Sequence, residues 1–385
     1  MAGHLLVTND FPPKTGGIQV YLHELWRRLE PGRATVLTAS SHADAAAFDR
    51  AEELVVERVA ESTLFLPTPK ARAAIEAAIA RHDPDLVLID PAWPLGLLGP
   101  TLSRPYGVIL HGAEVTIPAR LPLVASSMRH VLRHASVAVC AGSYPEAEAR
   151  RNAAEFMPPV IQIPPGVDTA QFRPAPDDER RRVREAMGVA DDALLVSSYS
   201  RLVPRKGMDT LIRASALVPR SLQLQVSIGG SGRDRQRLER LATKLGAPVR
   251  FEGRVPDDRV AAWLGASDIM VMDCRGRWMG LEQEGFGIVF LNAAACSVAQ
   301  IAGRSGGSHE AVLDGETGIV LDHSRSARAL ARAIEQLAGD DELRRRFAAR
   351  AREVAVERFQ WDSLAARLGE GLAPFDHFEA STRLL

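Results

Sequence analysis

Cysteine is scarce in this sequence, and so is lysine. The three cysteines, Cys140, Cys274 and Cys296, are odd in number, far apart and set in mostly apolar runs. That spacing offers neither a disulfide framework nor a zinc site, and it suits a reducing cytoplasm. Lysine supplies four of the 47 basic residues, at 14, 70, 206 and 244, which draws the eye to Lys206 beside Arg205. Net charge is −1, so no global field attracts nucleic acid. No apolar run of about 18 residues is present to span a bilayer. The N-terminus passes straight into the apolar stretch His4–Thr8 without a charged segment and long hydrophobic core, and so reads as having no signal peptide. Metal chemistry finds no foothold either. No His/Cys cluster has ligand spacing, and the D-x-D at Asp83–Asp85 leads into a strand instead of following one. No metal and no bound cofactor are expected.

What is present is an alternation. At 385 residues and 46% hydrophobic, the chain is long enough for two α/β cores. Short β-branched or leucine-rich runs recur at 5–8, 34–38, 54–59, 85–89, 107–110 and 136–140. The pattern restarts at 194–198 and continues at 222–228, 249–251, 268–272, 300–302 and 318–321. Amphipathic stretches such as 19–30 and 71–81 separate them, which predicts βαβ units and parallel sheets. Prolines at 164, 165, 174 and 176 mark a linker near residue 170, because proline breaks both helix and ladder. The expected division is an N-terminal Rossmann-like domain, 1–168, and a C-terminal one, 169–358. A last helix within 359–385 is expected to return to the first domain.

In doubly wound sheets, ligands sit beyond the carboxyl ends of the strands, so the loops there carry the candidate chemistry. The first, Asn9–Gln19, holds Gly16 and Gly17 at a helix start, where free amides suit an anion. It is neither G-x-G-x-x-G nor a Walker loop, so dinucleotide and ATP readings fail. His111 follows another strand and can bond a ligand hydroxyl or simply cap the next turn. Ser200–Gly207 brings Arg201 and Lys206, a guanidinium fork and a point charge suited to a diphosphate. Gly229–Arg233 leaves room for a flat base or is a bare turn. Glu284 precedes a helix whose opening amides, at Phe286, Gly287 and Ile288, suit phosphate, with Asn292 about two turns along. Gly303–Glu310 is a further glycine loop.

Taken together, P-P-K-x-G-G-I-Q at 12–19, L-P-T-P at 66–69, P-P-G-V-D-x-x-x-F at 164–172, S-R-L-V-P-R-K-G at 200–207 and E-G-F-G-I-V-F-L at 284–291 resemble the family 4 retaining glycosyltransferases. These have the GT-B architecture, two Rossmann-like domains facing a central cleft, followed by C-terminal helices. The likeness is greatest to actinobacterial mannosyltransferases that use GDP-mannose and act on phosphatidylinositol mannosides. It implies that Arg201 and Lys206 hold the diphosphate, that Gly16 and Gly17 approach the donor phosphate, and that His111 contacts the transferred sugar near its 6-hydroxyl. It implies too that Glu284 and the amides at 286–288 bind the sugar or phosphate, and that the base lies near Gly230 and the Gly253–Arg254–Val255 turn. The partners so implied are a nucleotide-sugar donor and a glycolipid or glycan acceptor. The setting is cytoplasmic, with a peripheral contact on an anionic membrane, for which the basic helical stretch 121–134 is a candidate beside the plainer reading of a surface helix.

Several positions depart from the family pattern. Asn292 stands where the second Glu of E-x7-E binds ribose, and it loses a charged acceptor. Asp273 replaces Pro, Met279 replaces Gly, Ser297 and Ala299 replace Gly and Pro, and Ala113 replaces the second His of H-G-H-E. A nucleotide-sugar-binding pseudoenzyme is the alternative these changes suggest. An epimerase on the same fold is another, which the Arg201, Lys206 and Glu284 set fits less well than transfer.

Overall fold

The computed structural model describes residues 3–40, 42–190 and 192–375. The chain forms two compact units, Met1–Pro165 with Trp361–Leu385, and Gly166–Gln360. The second is contiguous; the first is completed by the C-terminal segment.

In the first unit the strands are β1 (His4–Thr8), β2 (Ala34–Ala39), β3 (Val55–Val59), β4 (Leu86–Asp90), β5 (Tyr106–Leu110), β6 (Val137–Cys140) and β7 (Val160–Gln162). They form a seven-stranded sheet in the order β3-β2-β1-β4-β5-β6-β7, every pair parallel. Strands β1, β2, β4 and β5 are buried along their whole length, as a parallel sheet covered on both faces requires. The second unit holds β8 (Leu195–Tyr199), β9 (Gln225–Gly229), β10 (Val249–Gly253), β11 (Ile269–Met272), β12 (Ala299–Gly303) and β13 (Gly318–Leu321). Its order is β10-β9-β8-β11-β12-β13, again parallel throughout.

Two local differences from the periodicity have plain causes. β7 is absent from the expected strands because prolines at 158, 159, 164 and 165 crowd it. A short edge strand tolerates them, since its outer side needs no ladder. The apolar start expected at Leu222 is instead a 3-10 turn, Arg220–Leu222, after Pro219. Gln223 follows at φ 44, and the strand begins only at Gln225.

Helices cover both sheets. Gly17–Trp26 buries Tyr21, Leu22, Leu25 and Trp26, a helical stripe facing the core. The last helix, Trp361–Leu372, buries Trp361, Leu364, Ala365, Leu368 and Leu372. Both sets lie in the same core as Leu6, Val36 and Leu88. No helix among the described residues is long and apolar enough to cross a membrane.

In each sheet the strand order reverses direction at one place, between β1 and β4 and between β8 and β11. Loops diverge at such a point and leave room for a ligand. Gly16 and Gly17 follow β1, Lys206 follows β8 and Glu284 follows β11, the strands that flank these places, while His111, Gly230 and Val255 follow the neighbouring β5, β9 and β10.

Candidate active site

In the second unit, β8 ends at Tyr199 and the chain turns through Pro204–Lys206 into the helix Met208–Ser215. Gly207 makes that turn possible. It sits at φ +73, and a Cβ there would collide with the carbonyl of Asp273 at the end of β11. The close approach brings the β8 loop onto Glu284. Lys206 Nζ lies 2.6 Å from Glu284 Oε2, and Arg205 Nη1 donates to the same oxygen at 2.7 Å. Cys274 Sγ contacts it at 3.7 Å. Lys206 and Glu284 are both buried. Burial alone would raise the Glu284 carboxyl, but Lys206 and Arg205 outweigh it and hold it below the ordinary range, so an opposed charge keeps the buried acid ionised.

The sequence pairs Lys206 with Arg201 as the diphosphate cations. The structure brings Lys206 and Arg205 together, while Arg201 is exposed, and among the described residues its guanidinium makes no ion pair. Adjacency in a loop does not tell which guanidinium turns inward. The scarcity of lysine in an arginine-rich chain was the usable signal for Lys206.

Glu284 is held from behind. Its carbonyl accepts from Gly307 N at 3.0 Å, and Gln283 Oε1 accepts from Gly306 N at 2.8 Å. Side chains at Gly306 or Gly307 would strike the carbonyls of Glu284 and Gly285. The glycine loop at 303–310 is therefore a backing for Glu284. Ahead of it, Gly287 at φ +94 admits the turn into the helix Ile288–Ala295. Among the described residues the amides of Phe286, Gly287 and Ile288 donate to no protein acceptor. Such amides at a helix start form a site for an anion. Asn292 is half-buried in the second turn of this helix.

Gly230 belongs to the same face. It sits at φ +124 against the Ser200 carbonyl, and its N–H donates to Gly253 O at 2.6 Å. This joins the β8, β9 and β10 loops. Val255 is buried and Arg254 exposed, 3.7 Å from Asp257.

The first unit presents a separate buried network at the ends of β1, β4 and β5. Thr8 Oγ1 donates to Asp90 Oδ2 at 2.6 Å, and Asp90 Oδ1 lies 3.0 Å from His111 Nε2. Glu114 accepts from the amides of His111 and Gly112, and Tyr21 meets the imidazole edge-on at 5.2 Å. Burial would depress the His111 pKa, but Asp90, with Glu114 and Asp10 behind it, reverses the effect and raises it. Asp10 itself is raised, chiefly by burial and then by repulsion from Asp90. It accepts from Gln19 Nε2 at 2.7 Å, which ties the first loop to the opening turn of Gly17–Trp26. Gly16 is half-buried and Gly17 exposed at that helix start. Asp90 is missing from the sequence-level site, although an acid closing an otherwise apolar strand, L-V-L-I-D, was its signal.

The basic helix Pro122–His134 spends its apolar residues Ala125, Met128, Val131 and Leu132 on the core. Arg133 stacks over Phe156 at 4.3 Å and Arg129 donates to Asn152 at 3.1 Å. Its basic side chains His130, Arg133 and His134 are exposed.

Two parallel sheets whose switch-point loops carry buried cations, a paired acid and unpaired helix-start amides define a glycosyltransferase of the two-Rossmann type. Solved structures share that fold. Anabaena HepE in complex with UDP matches at TM-score 0.80 with 22% identity, covering 96% of this chain and 99% of that one. Sucrose-phosphate synthase from Thermosynechococcus elongatus also matches at 0.80, with 21% identity and 96% and 98% coverage. The family described as "Glycosyl transferases group 1" matches residues 179–354, and "Glycosyltransferase Family 4" matches 15–171. Relatives extend the match to nearly the full length. A GDP-mannose-dependent alpha-(1-6)-phosphatidylinositol monomannoside mannosyltransferase of Mycolicibacterium smegmatis is 37% identical over 96% of this chain and 98% of its own. Its Mycobacterium tuberculosis counterpart is 38% identical over 97% and 98%. A Corynebacterium glutamicum enzyme named for the monoacylated acceptor is 35% identical over 94% and 96%. The chain belongs to the group 1 and family 4 glycosyltransferases.

Proposed function

We propose that the protein moves mannose from GDP-mannose onto a phosphatidylinositol mannoside, with retention at the anomeric carbon. The observation that carries this reading is the Lys206–Arg205–Glu284 cluster beside three unpaired amides. It is a preorganised field for a diphosphate that gains charge as the glycosidic bond breaks. Such fields are worth roughly 10²–10³ in rate per donor removed. Relatives named for the same donor and acceptor support the substrate assignment.

The chemistry divides between the units. In the second, Lys206 and the exposed Arg201 take the β-phosphate, Glu284 and the amides of Phe286, Gly287 and Ile288 take sugar and phosphate oxygens, and the base lies against Gly230, Arg254 and Val255. In the first, Gly16 and Gly17 approach the donor phosphate and His111, fixed by Asp90, contacts the sugar near its 6-hydroxyl. The C1–phosphate oxygen bond breaks and the acceptor oxygen bonds C1 on the same face. The acceptor proton passes to the leaving phosphate. Arginine, lysine and amides meet the charge, so the step needs no metal. A lipid-linked acceptor places the protein at the cytoplasmic surface of an anionic membrane, in peripheral contact.

The test is nucleotide release from GDP-mannose and from UDP-glucose, with and without phosphatidylinositol mannoside, followed by nuclear magnetic resonance of the product anomer. GDP release stimulated by that lipid, with an α product, is the expected result. Preference for UDP-glucose, release indifferent to the lipid, or an inverted anomer would refute the assignment.

A further inference from the structure

On the second unit, behind the Pro204–Lys206 turn, lies an open cavity of 380 Å³ walled by Arg213, Arg237, Arg275, Arg277 and Arg325. Three of these are already matched by carboxylates. Arg275 pairs with Asp209 at 2.7 Å, Arg237 with Asp234 at 2.6 Å and Arg277 with Glu282 at 2.8 Å. Arg213 and Arg325 are exposed, and among the described residues neither guanidinium pairs with a carboxylate, although Arg325 Nη2 donates to the Gly276 carbonyl at 3.1 Å. Two uncompensated guanidinium groups at one cavity match a phosphate, which Arg binds in bidentate fashion.

Beside the cavity the chain makes a turn, closed by the bridge between Arg277 and Glu282. At its tip Trp278 is 61% and Met279 96% exposed. Both are held in left-handed backbone, at φ 49 and φ 54. The guanidinium of Arg277 lies 4.6 Å over the Trp278 ring, so the apolar tip and the cationic cavity share a residue. Trp26, Trp263 and Trp361 are all buried, which makes this outward tryptophan an exception.

Two of the positions where this chain leaves the family pattern meet here. Met279 is half of the tip. Asp273 is buried, and its Oδ2 accepts from the amide of Arg325 at 3.0 Å. It thereby holds Arg325, itself at φ 95, at the cavity wall.

We propose that this surface is a docking site for an anionic phospholipid in a bilayer, with the phosphate among Arg213 and Arg325 and with Trp278 and Met279 entering the interface. Charge complementarity supplies the phosphate, and the neighbouring tip supplies the lipid: tryptophan is favoured at headgroup level, and a free phosphate would gain nothing from an exposed Trp–Met pair. The site deepens the reading of a membrane-facing enzyme but does not depend on which sugar is moved. It is tested without donor or acceptor.

Full-length protein is mixed with vesicles of phosphatidylcholine alone or blended with phosphatidylglycerol. Sedimentation and tryptophan emission are followed. Expected are binding to the blended vesicles only, a blue shift of emission, and quenching by brominated acyl chains. Trp278→Ser should abolish the shift and Met279→Ser weaken binding. The double change Arg213→Glu with Arg325→Glu should reduce binding at least about tenfold, with thermal unfolding little changed because both side chains are exposed and the one bond lost, Arg325 Nη2 to Gly276 O, is at the surface. Binding that is untouched by the arginine pair, a shift that survives Trp278→Ser, or no binding at all would overturn the site. So would calorimetric binding of inorganic phosphate to the cavity with none to vesicles.

Discussion

Lys206 gives the sharpest single-residue consequence. Replacing it with Ala should cut turnover by roughly 10²–10³-fold. Arg205 remains on Glu284 at 2.7 Å, so the buried acid keeps a partner and thermal unfolding should move little. Full activity in Lys206→Ala would remove it from the diphosphate. Asn292 makes the opposite prediction. A carboxylate accepts about twice as strongly as an amide, so Asn292→Glu should tighten donor binding several-fold by calorimetry. No gain would mean the pocket has settled around asparagine. His111 makes a third, read through pH. Its pKa is raised above 6.5 in the folded protein. The ion pair with Asp90 therefore stabilises fully below the unfolded value and is lost as pH rises through the folded one. Thermal unfolding of wild type and His111→Gln should converge as pH passes into the alkaline range. A gap that stays constant would show that the imidazole is not charged in the native state.

At the scale of elements, two departures from the family pattern, Met279 at φ 54 and Ser297 at φ 56, keep the left-handed backbone that suits the glycine they replace. Ser297 follows the helix Ile288–Ala295 at φ 56. Its N–H reaches Ala294 O at 2.9 Å, and Val298 N–H reaches Ala293 O at 3.0 Å. This is the Schellman arrangement, in which glycine is the usual terminator. An L-residue there costs about 1–2 kcal/mol, so Ser297→Gly should stabilise the second unit by about 1 kcal/mol in denaturant unfolding. A loss instead would mean the hydroxyl contributes something the geometry does not reveal. The same element scale marks how far the sequence could be read. Parallel sheets and the loops bearing Gly16, His111, Lys206 and Glu284 were legible, because apolar runs ending in glycine or charge report strand ends directly. β7 was not, since its prolines argue against a strand unless one knows it lies on an edge. Nor was the inward turn of Arg205 onto Glu284, which depends on Gly207 meeting Asp273, 66 positions further along the chain (273 − 207). The backing role of Gly306 and Gly307 was equally invisible, because a glycine loop against a ligand and one against a carbonyl look alike as text.

At the scale of the molecule, the first unit is discontinuous. Trp361, Leu364, Leu368 and Leu372 are buried in its core with Leu22, Leu25 and Trp26. At about 2 kcal/mol per buried side chain, ending the chain at Gln360 should remove more than a small domain can spare. Limited proteolysis of such a truncated protein should digest 1–165 and leave 166–360 resistant. Survival of both halves would show the last helix to be dispensable. The same arrangement governs the order of events during synthesis. The second unit has all its parts once residue 360 has left the ribosome. The first, although made earlier, waits with the Leu22–Trp26 stripe uncovered until the helix Trp361–Leu372 emerges, so until then the nascent chain offers that stripe to chaperones or to its neighbours.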